Sequence, residues 1–165
     1  KSCKSVSINT KNKNVIDVTP EKKELGYVGI PKNINIEIIN EIIDKNEIPV
    51  LAPMGLDNES KPYNINADIA AGAIAKSLKS RRLLLMTNVE GVYDKNKKLL
   101  PELSVNQAIQ MMKDEVVVGG MIPKISTCID AIKNGVRGVV IIDGRKPHSI
   151  LNEIFSDLGA GTLIR

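Results

Sequence analysis

The sequence predicts an α/β fold, a three-layer αβα sandwich around a mainly parallel sheet, and three observations predict it. From Ile48 to the end, short apolar runs alternate with longer segments of helical periodicity. The run Leu83-Leu84-Leu85 is apolar without interruption, as strands covered on both faces tend to be. The chain of 165 residues is 42% hydrophobic and 25% charged, enough apolar side chains to bury a sizeable core.

Each element follows in order. Ser5 to Asn9 and Val15 to Val18 flank the polar Lys11-Asn12-Lys13-Asn14 and are expected to pair as an antiparallel hairpin. Ile38, Ile39, Ile42 and Ile43 recur at helical spacing and predict a helix from Asn33 to Asn46. Ile48 to Ala52, bounded by Pro53 and Gly55, is expected to be a buried strand, and Asp57 to Lys61 a polar turn. A helix starting near Asp68 carries Ala70, Ala71, Gly72, Ala73 and Ala75, a small-residue face that allows close approach to a sheet. Arg82 to Thr87 is the next strand. Ser104 and Gln107 match a capping box for a helix through Met112, and Val116 to Val118 is expected to be a short strand. A helix from about Ile122 to Asn134 stops at Gly135, a usual residue just past a helix end. Val136 to Ile142 is an apolar strand, His148 to Phe155 a last helix, and Thr162-Leu163-Ile164 a closing strand. The polar Lys79-Ser80-Arg81 marks the expected boundary between two lobes, residues 1–79 and 80–165.

Composition excludes several classes of function. The net charge of +4 arises from 23 basic and 19 acidic residues spread along the chain, a weak preference for anionic ligands. Tyr27, Tyr63, Tyr93 and Phe155 are the only aromatic residues and no long basic run occurs, which argues against nucleic acid. No apolar stretch is long enough for a membrane helix. Cys3 and Cys128 do not suggest a disulfide framework. The chain begins with Lys1 inside a strand-like run, as a partial sequence would.

In open α/β sheets, ligands bind beyond the carboxyl ends of the strands, so the segments after the apolar runs carry the candidates. Asn64, Asn66 and Asp68 alternate in an extended segment and can converge on one ligand; alternatively, Asp68 serves as a helix N-cap. Thr87-Asn88-Val89-Glu90-Gly91-Val92-Tyr93 offers backbone N–H groups in a glycine-containing turn, or is an ordinary strand exit. Gly119 and Gly120 precede a helix whose first turns hold Lys124; dipole, backbone donors and ammonium group suit phosphate, against a glycine turn with a solvated lysine. This is not a Walker A pattern. His148 has no nucleophile or second metal ligand at a suitable spacing, which favours a loop histidine at a helix start and no metal site.

Those segments, with Gly26 to Gly29, Ile48 to Gly55, Ile141 to Pro147 and Gly159 to Thr162, resemble the N-acetylglutamate kinases of the amino acid kinase superfamily, in family order from about Gly26 to Arg165. The resemblance implies an amino acid kinase (carbamate kinase-like) fold, incomplete at its N-terminus. Residues 1–79 would then end the acetylglutamate-binding lobe, and 80–165 would form the ATP-binding lobe. Asn64 and Asn66 would hold N-acetyl-L-glutamate, Asp68 would organise the lysines, and Lys124 would be the catalytic lysine. Thr87, Asn88, Val89, Glu90, Gly91, Val92, Tyr93, Val116, Val117, Val118, Gly119 and Gly120 would enclose the nucleotide. The implied reaction transfers the γ-phosphate of ATP, with Mg2+, to the γ-carboxylate of acetylglutamate in arginine biosynthesis, in the cytoplasm or a plastid stroma.

A lysine-glycine first strand and a glycine pair with an arginine, which grip acetylglutamate in the family, have no counterpart here. The fragment alone is therefore expected to be inactive. His148 and Gly159 match the region where arginine-sensitive members bind their effector, and Leu158 stands where an acidic residue is expected, which would weaken that control. Homo-oligomerisation and docking of a PII protein are further properties of the family. The alternatives are a glutamate 5-kinase or carbamate kinase type of enzyme, and a non-catalytic nucleotide- or partner-binding fragment.

Overall fold

The computed structural model describes residues 3–157 and 159–165, so Leu158 and any effector contact there lie outside the described residues. The chain falls into two compact units, Lys1–Leu78 and Lys79–Arg165.

In the first unit, β1 (Ser5–Ile8) pairs in parallel with β4 (Ile48–Leu51). A second sheet has the order β3-β2-β5-β6, formed by β2 (Ile16–Pro20), β3 (Gly29–Ile34), β5 (Met54–Leu56) and β6 (Pro62–Asn64). The expected hairpin between Ser5–Asn9 and Val15–Val18 does not form. Asn9 Oδ1 accepts from the backbone N–H of Lys11 at 2.9 Å, and Asn12 Oδ1 accepts from that of Asn9 at 2.8 Å, so the turn satisfies itself instead of closing a ladder. β2 pairs antiparallel with β3, a strand the sequence disguises with Pro31. Proline is tolerated there because β3 lies at the edge of its sheet.

That strand also shortens the next helix. α1 runs Ile36–Ile43 rather than from Asn33, and buries Ile39 and Ile42. The strand expected to be buried at Ile48 is only half so. Leu51 packs on the core that holds Ile39 and Ile42, while Ile48 and Val50, alternating to the other face, remain 52% and 53% exposed. β5 closes against β2 at Gly55, where an added Cβ would lie 2.3 Å from the Ile16 carbonyl oxygen. α2 (Ala67–Ser77) packs on β3, with Ala70, Gly72 and Ala75 buried, so its small residues do permit close approach. Nine apolar residues from Ile8 to Ala70 form this unit's core, its seven isoleucines and valines each contributing about 1.5–3 kcal/mol on full burial.

In the second unit the order is β7-β9-β10-β8, formed by β7 (Leu83–Thr87), β8 (Glu102–Leu103), β9 (Val139–Asp143) and β10 (Gly161–Ile164). β7 runs parallel to β9, and β10 runs antiparallel to β9 and parallel to β8. Every residue of β9 is buried. β7 is less enclosed than three leucines suggested, since Met86 is 46% exposed. α3 (Val105–Lys113) opens with the expected capping box, Ser104 Oγ accepting from Gln107 N–H and Gln107 Oε1 accepting from Ser104 N–H. Val116 to Val118 is not a strand. The N–H groups of Val116 and Val117 both donate to Met111 O, wrapping the chain around the end of α3 through Glu115 at a φ of 55°. α4 (Met121–Lys133) packs on α3 and β9, and α5 (Ser149–Phe155) also packs on β9. Among the described residues four strand pairings are parallel and three antiparallel, an α/β fold.

β10 starts at a glycine for a steric reason. A Cβ on Gly161 would lie 2.0 Å from Ile141 O, and no flexible side chain is there to yield. Gly161→Ala is expected to destabilise the second unit by about 1–3 kcal/mol, the usual cost of overpacking. Urea denaturation measures it; an unchanged midpoint would show that the β9–β10 pair separates without cost.

Candidate active site

The second unit brings several of the sequence candidates to one end of its sheet. β7 and β9 are parallel neighbours in register, Thr87 opposite Asp143, so the loops leaving them share an exit. Gly144 N–H donates to Thr87 O at 2.8 Å and ties the two exits together. α4 joins β9 through a short turn at Gly135 and packs on it, so it runs antiparallel to the strand. Its amino end, carrying Gly119 and Gly120, therefore lies toward the same end of β9 as Asp143. Lys124 follows in the first turns of α4 and is half-buried.

Gly119 has a φ of 58°, a conformation glycine adopts without strain. Gly120 is right-handed and needs no glycine for its backbone. A Cβ at either would meet nothing within 4 Å, so open space surrounds both. Gly91 differs: its Cβ would lie 2.4 Å from Thr162 Oγ1 and 3.1 Å from Thr162 N, so Gly91 is a packing requirement inside the protein.

The loop after β7 is held from three sides. Val92 N–H donates to the buried Thr162 hydroxyl at 2.8 Å, and that hydroxyl donates to Leu100 O at 2.6 Å. Tyr93 Oη donates to Glu90 Oε2 at 3.0 Å, and the other carboxylate oxygen of Glu90 accepts from Lys146. The Lys146 hydrogen bond, then that of Tyr93, holds the Glu90 carboxyl below its ordinary range. Burial, with Glu90 second, pushes the Tyr93 phenol up. After β9, Asp143 is 3% exposed and clamps Arg145, accepting from its backbone N–H at 2.9 Å, its Nε at 3.0 Å and its Nη2 at 2.8 Å. Val117 is buried and Val118 exposed.

The sequence reading singled out Gly159 to Thr162 as a turn but missed Thr162 as the tie on the loop. A threonine at the start of a strand carries no such signal in the sequence, because its partners lie 70 and 62 residues away. His148 opens α5 in a left-handed conformation at a φ of 59°, and Gly159 sits beside Glu153.

In the first unit, Tyr63 and Ile65 are buried and Asn64 and Asn66 exposed, so the two carboxamides emerge on the outer side of β6 and its exit. Asn66, and not Asp68, caps α2: its Oδ1 accepts from the N–H groups of Asp68 at 3.0 Å and Ile69 at 3.3 Å. The N-cap reading of Asp68 is thereby corrected. Asp68 sits half-buried within the first turn. Nearby, Lys61 Nζ lies 4.8 Å from the centre of the exposed Tyr27 ring, which in turn meets Tyr63 at 5.8 Å.

Fold and site together describe an α/β protein whose glycine-preceded helix start and parallel strand exits suit a phosphate-bearing ligand. Residues 3–143 match the amino acid kinase family, and the chain belongs to that family. It is 53% identical to the acetylglutamate kinase of Pelagibacter ubique over 99% of this chain and 57% of that protein. Its identity to the acetylglutamate kinase of Rhodopseudomonas palustris is 51%, over 86% of this chain and 47% of the relative. The chain thus spans about half the length of the curated relatives it matches. An N-acetylglutamate synthase structure from Neisseria gonorrhoeae superposes with a TM-score of 0.89 at 24% identity, covering 99% of this chain and 38% of that one, a likeness of fold.

Hydrogen bonds from the Arg145 side chain, then its backbone N–H, lower the Asp143 pKa to about 2. A carboxylate depressed below its unfolded value of about 3.9 stabilises the fold above that pH and loses the contribution as pH falls through the folded value. The wild-type chain is therefore expected to lose stability between about pH 5 and pH 2, and Asp143→Asn to lose less over that window. Urea midpoints at several acidic pH values check this; parallel acid limbs would remove the clamp as a source of stability.

Proposed function

We propose that this chain is the part of an N-acetylglutamate kinase that holds the nucleotide lobe and a portion of the acceptor lobe. The observation that carries the reading is 53% identity to an acetylglutamate kinase across 99% of the chain. In that reaction the γ-carboxylate of N-acetyl-L-glutamate forms a bond to the γ-phosphorus of ATP while the bond to the ADP oxygen breaks, giving an acyl phosphate. A carboxylate nucleophile is ionised at neutral pH, so no general base is required. Mg2+, carried on the ATP phosphates, would supply charge neutralisation.

The chain's own residues would do the positioning. Open space around Gly119 and Gly120 leaves their backbone accessible to phosphate oxygens, and the start of α4 adds the positive end of its dipole. Lys124 would follow charge onto the equatorial oxygens of the transferring group. The loop from Thr87 to Tyr93, pinned by Thr162 and Lys146, would hold the adenosine, with Val116, Val117 and Val118 bordering it. Asn64 would grip acetylglutamate. Asn66, whose oxygen is engaged in the cap, would offer only its amide N–H groups, and Asp68 would order the lysines. A lobe boundary at residue 79, a homo-oligomer, an arginine effector near His148 and Gly159, and a PII partner belong to the same proposal. The relatives are bacterial, which supports the cytoplasm and lends nothing to a plastid.

In the complete protein, Lys124→Ala is expected to lower kcat severely and change the KM for ATP little, because the ammonium acts mainly in the transition state. Asn64→Ala is expected to raise the KM for acetylglutamate with kcat largely kept. Steady-state kinetics decide both. A Lys124→Ala enzyme with near wild-type kcat, or an Asn64→Ala effect confined to the KM for ATP, contradicts these assignments.

A further inference from the structure

Four arginines gather at the opposite end of the second sheet. Arg81 and Arg82 precede β7, Arg137 precedes β9, and Arg165 follows β10. β7 and β9 start at this end because they are parallel, and β10 finishes there because it runs antiparallel to β9. The backbone fixes the juxtaposition: Arg137 N–H donates to Ser80 O at 3.3 Å, and Leu83 N–H to Gly138 O at 3.1 Å. With Gly138 and Leu163 these arginines line a pocket of about 180 Å3. A Cβ on Gly138 would crowd Leu163 Cδ1 at 3.1 Å.

Two of the four guanidinium groups have carboxylate partners that line an adjoining pocket: Arg82 meets Glu153 at 3.2 Å, and Arg165 pairs with Glu102. Arg81 and Arg137 form no ion pair among the described residues. Like charges lining one pocket repel, and a shared anion offsets the repulsion. Five residues of β7 at about 3.3 Å each place the pocket roughly 16 Å from the Thr87 exit, so it is not the nucleotide region.

We propose that this pocket is a second anion site, for a small ligand with one or two phosphoryl groups. Guanidinium groups match phosphate oxygens in bidentate geometry, which favours Arg over Lys at such a site. The small volume of the pocket suits a ligand the size of phosphate or pyrophosphate. An acidic protein partner would cover a far larger surface.

The test is calorimetric titration of the complete protein with sodium pyrophosphate, with and without saturating ADP, in the wild type, Arg137→Gln and Arg137→Lys. ADP occupies the proposed nucleotide site, and one saturable pyrophosphate site is expected to remain in its presence. Both Arg137 variants are expected to bind roughly tenfold more weakly, the lysine variant because it keeps the charge but loses the fork. Arg137 is exposed, so its replacement should not disturb folding; circular dichroism verifies this, and Arg81→Gln repeats the measurement independently. Pyrophosphate binding abolished by ADP and unchanged in the arginine variants overturns the proposal, as does no saturable binding at physiological salt. Binding of poly-glutamate without binding of pyrophosphate would also overturn it, in favour of an acidic macromolecule.

Discussion

The second unit depends on the burial of β9. All five of its residues are withdrawn from water, so every backbone polar group on it must be paired within the protein, and the β7 and β10 ladders do so on its two edges. With that strand fixed, the two ends of the sheet acquire different chemistry. At its carboxyl end Arg145 folds back onto Asp143 and holds its carboxyl below the ordinary range; at its amino end the neighbouring strands deliver arginines. A slip of one residue in the β7–β9 register would turn the side chains of β7 to the opposite face while those of β9 stayed in place.

Glycines reveal where the chain packs on itself and where it leaves room. Gly55, Gly91 and Gly161 each face protein atoms closer than a Cβ could tolerate, and their role ends with the fold. Gly119 and Gly120 face open space, and Gly120 does not need the freedom of glycine for its backbone. In the sequence all five look alike. Only the neighbours separate a packing glycine from one that leaves backbone accessible at a helix start.

Much of the architecture was legible because local signals agreed with the final fold. The Ser104–Gln107 capping box, the Gly135 stop and the apolar run of β9 each act within a few residues. The failures have a common cause in pairing at a distance. Whether Ser5–Ile8 pairs with the next strand or with Ile48–Leu51 depends on which partner buries more, and a polar turn cannot decide that. β3 was hidden by Pro31, which is harmless on an edge, and Val116 to Val118 had strand-like composition but completes the end of a helix. At the candidate site, composition and order marked Asn64, Asn66 and Lys124. They did not show that Asn66 spends its oxygen on a cap, nor that Thr162 secures the loop that follows β7.

That last contact bears on how such a site could work. Phosphoryl transfer to an ionised carboxylate needs neither a base nor a covalent intermediate, so the protein contributes geometry and charge. Geometry costs conformational entropy, and a loop that orders only when ligand arrives charges that cost against affinity. Here Thr162 bonds the loop at Val92 and again at Leu100, while Lys146 reaches Glu90 from the neighbouring exit. The Thr162 hydroxyl is fully buried, where leaving either backbone partner unsatisfied would cost about 1–3 kcal/mol. The loop is thus ordered by the fold before any ligand binds, and contacts to a nucleotide would add to affinity rather than be consumed in arranging the protein.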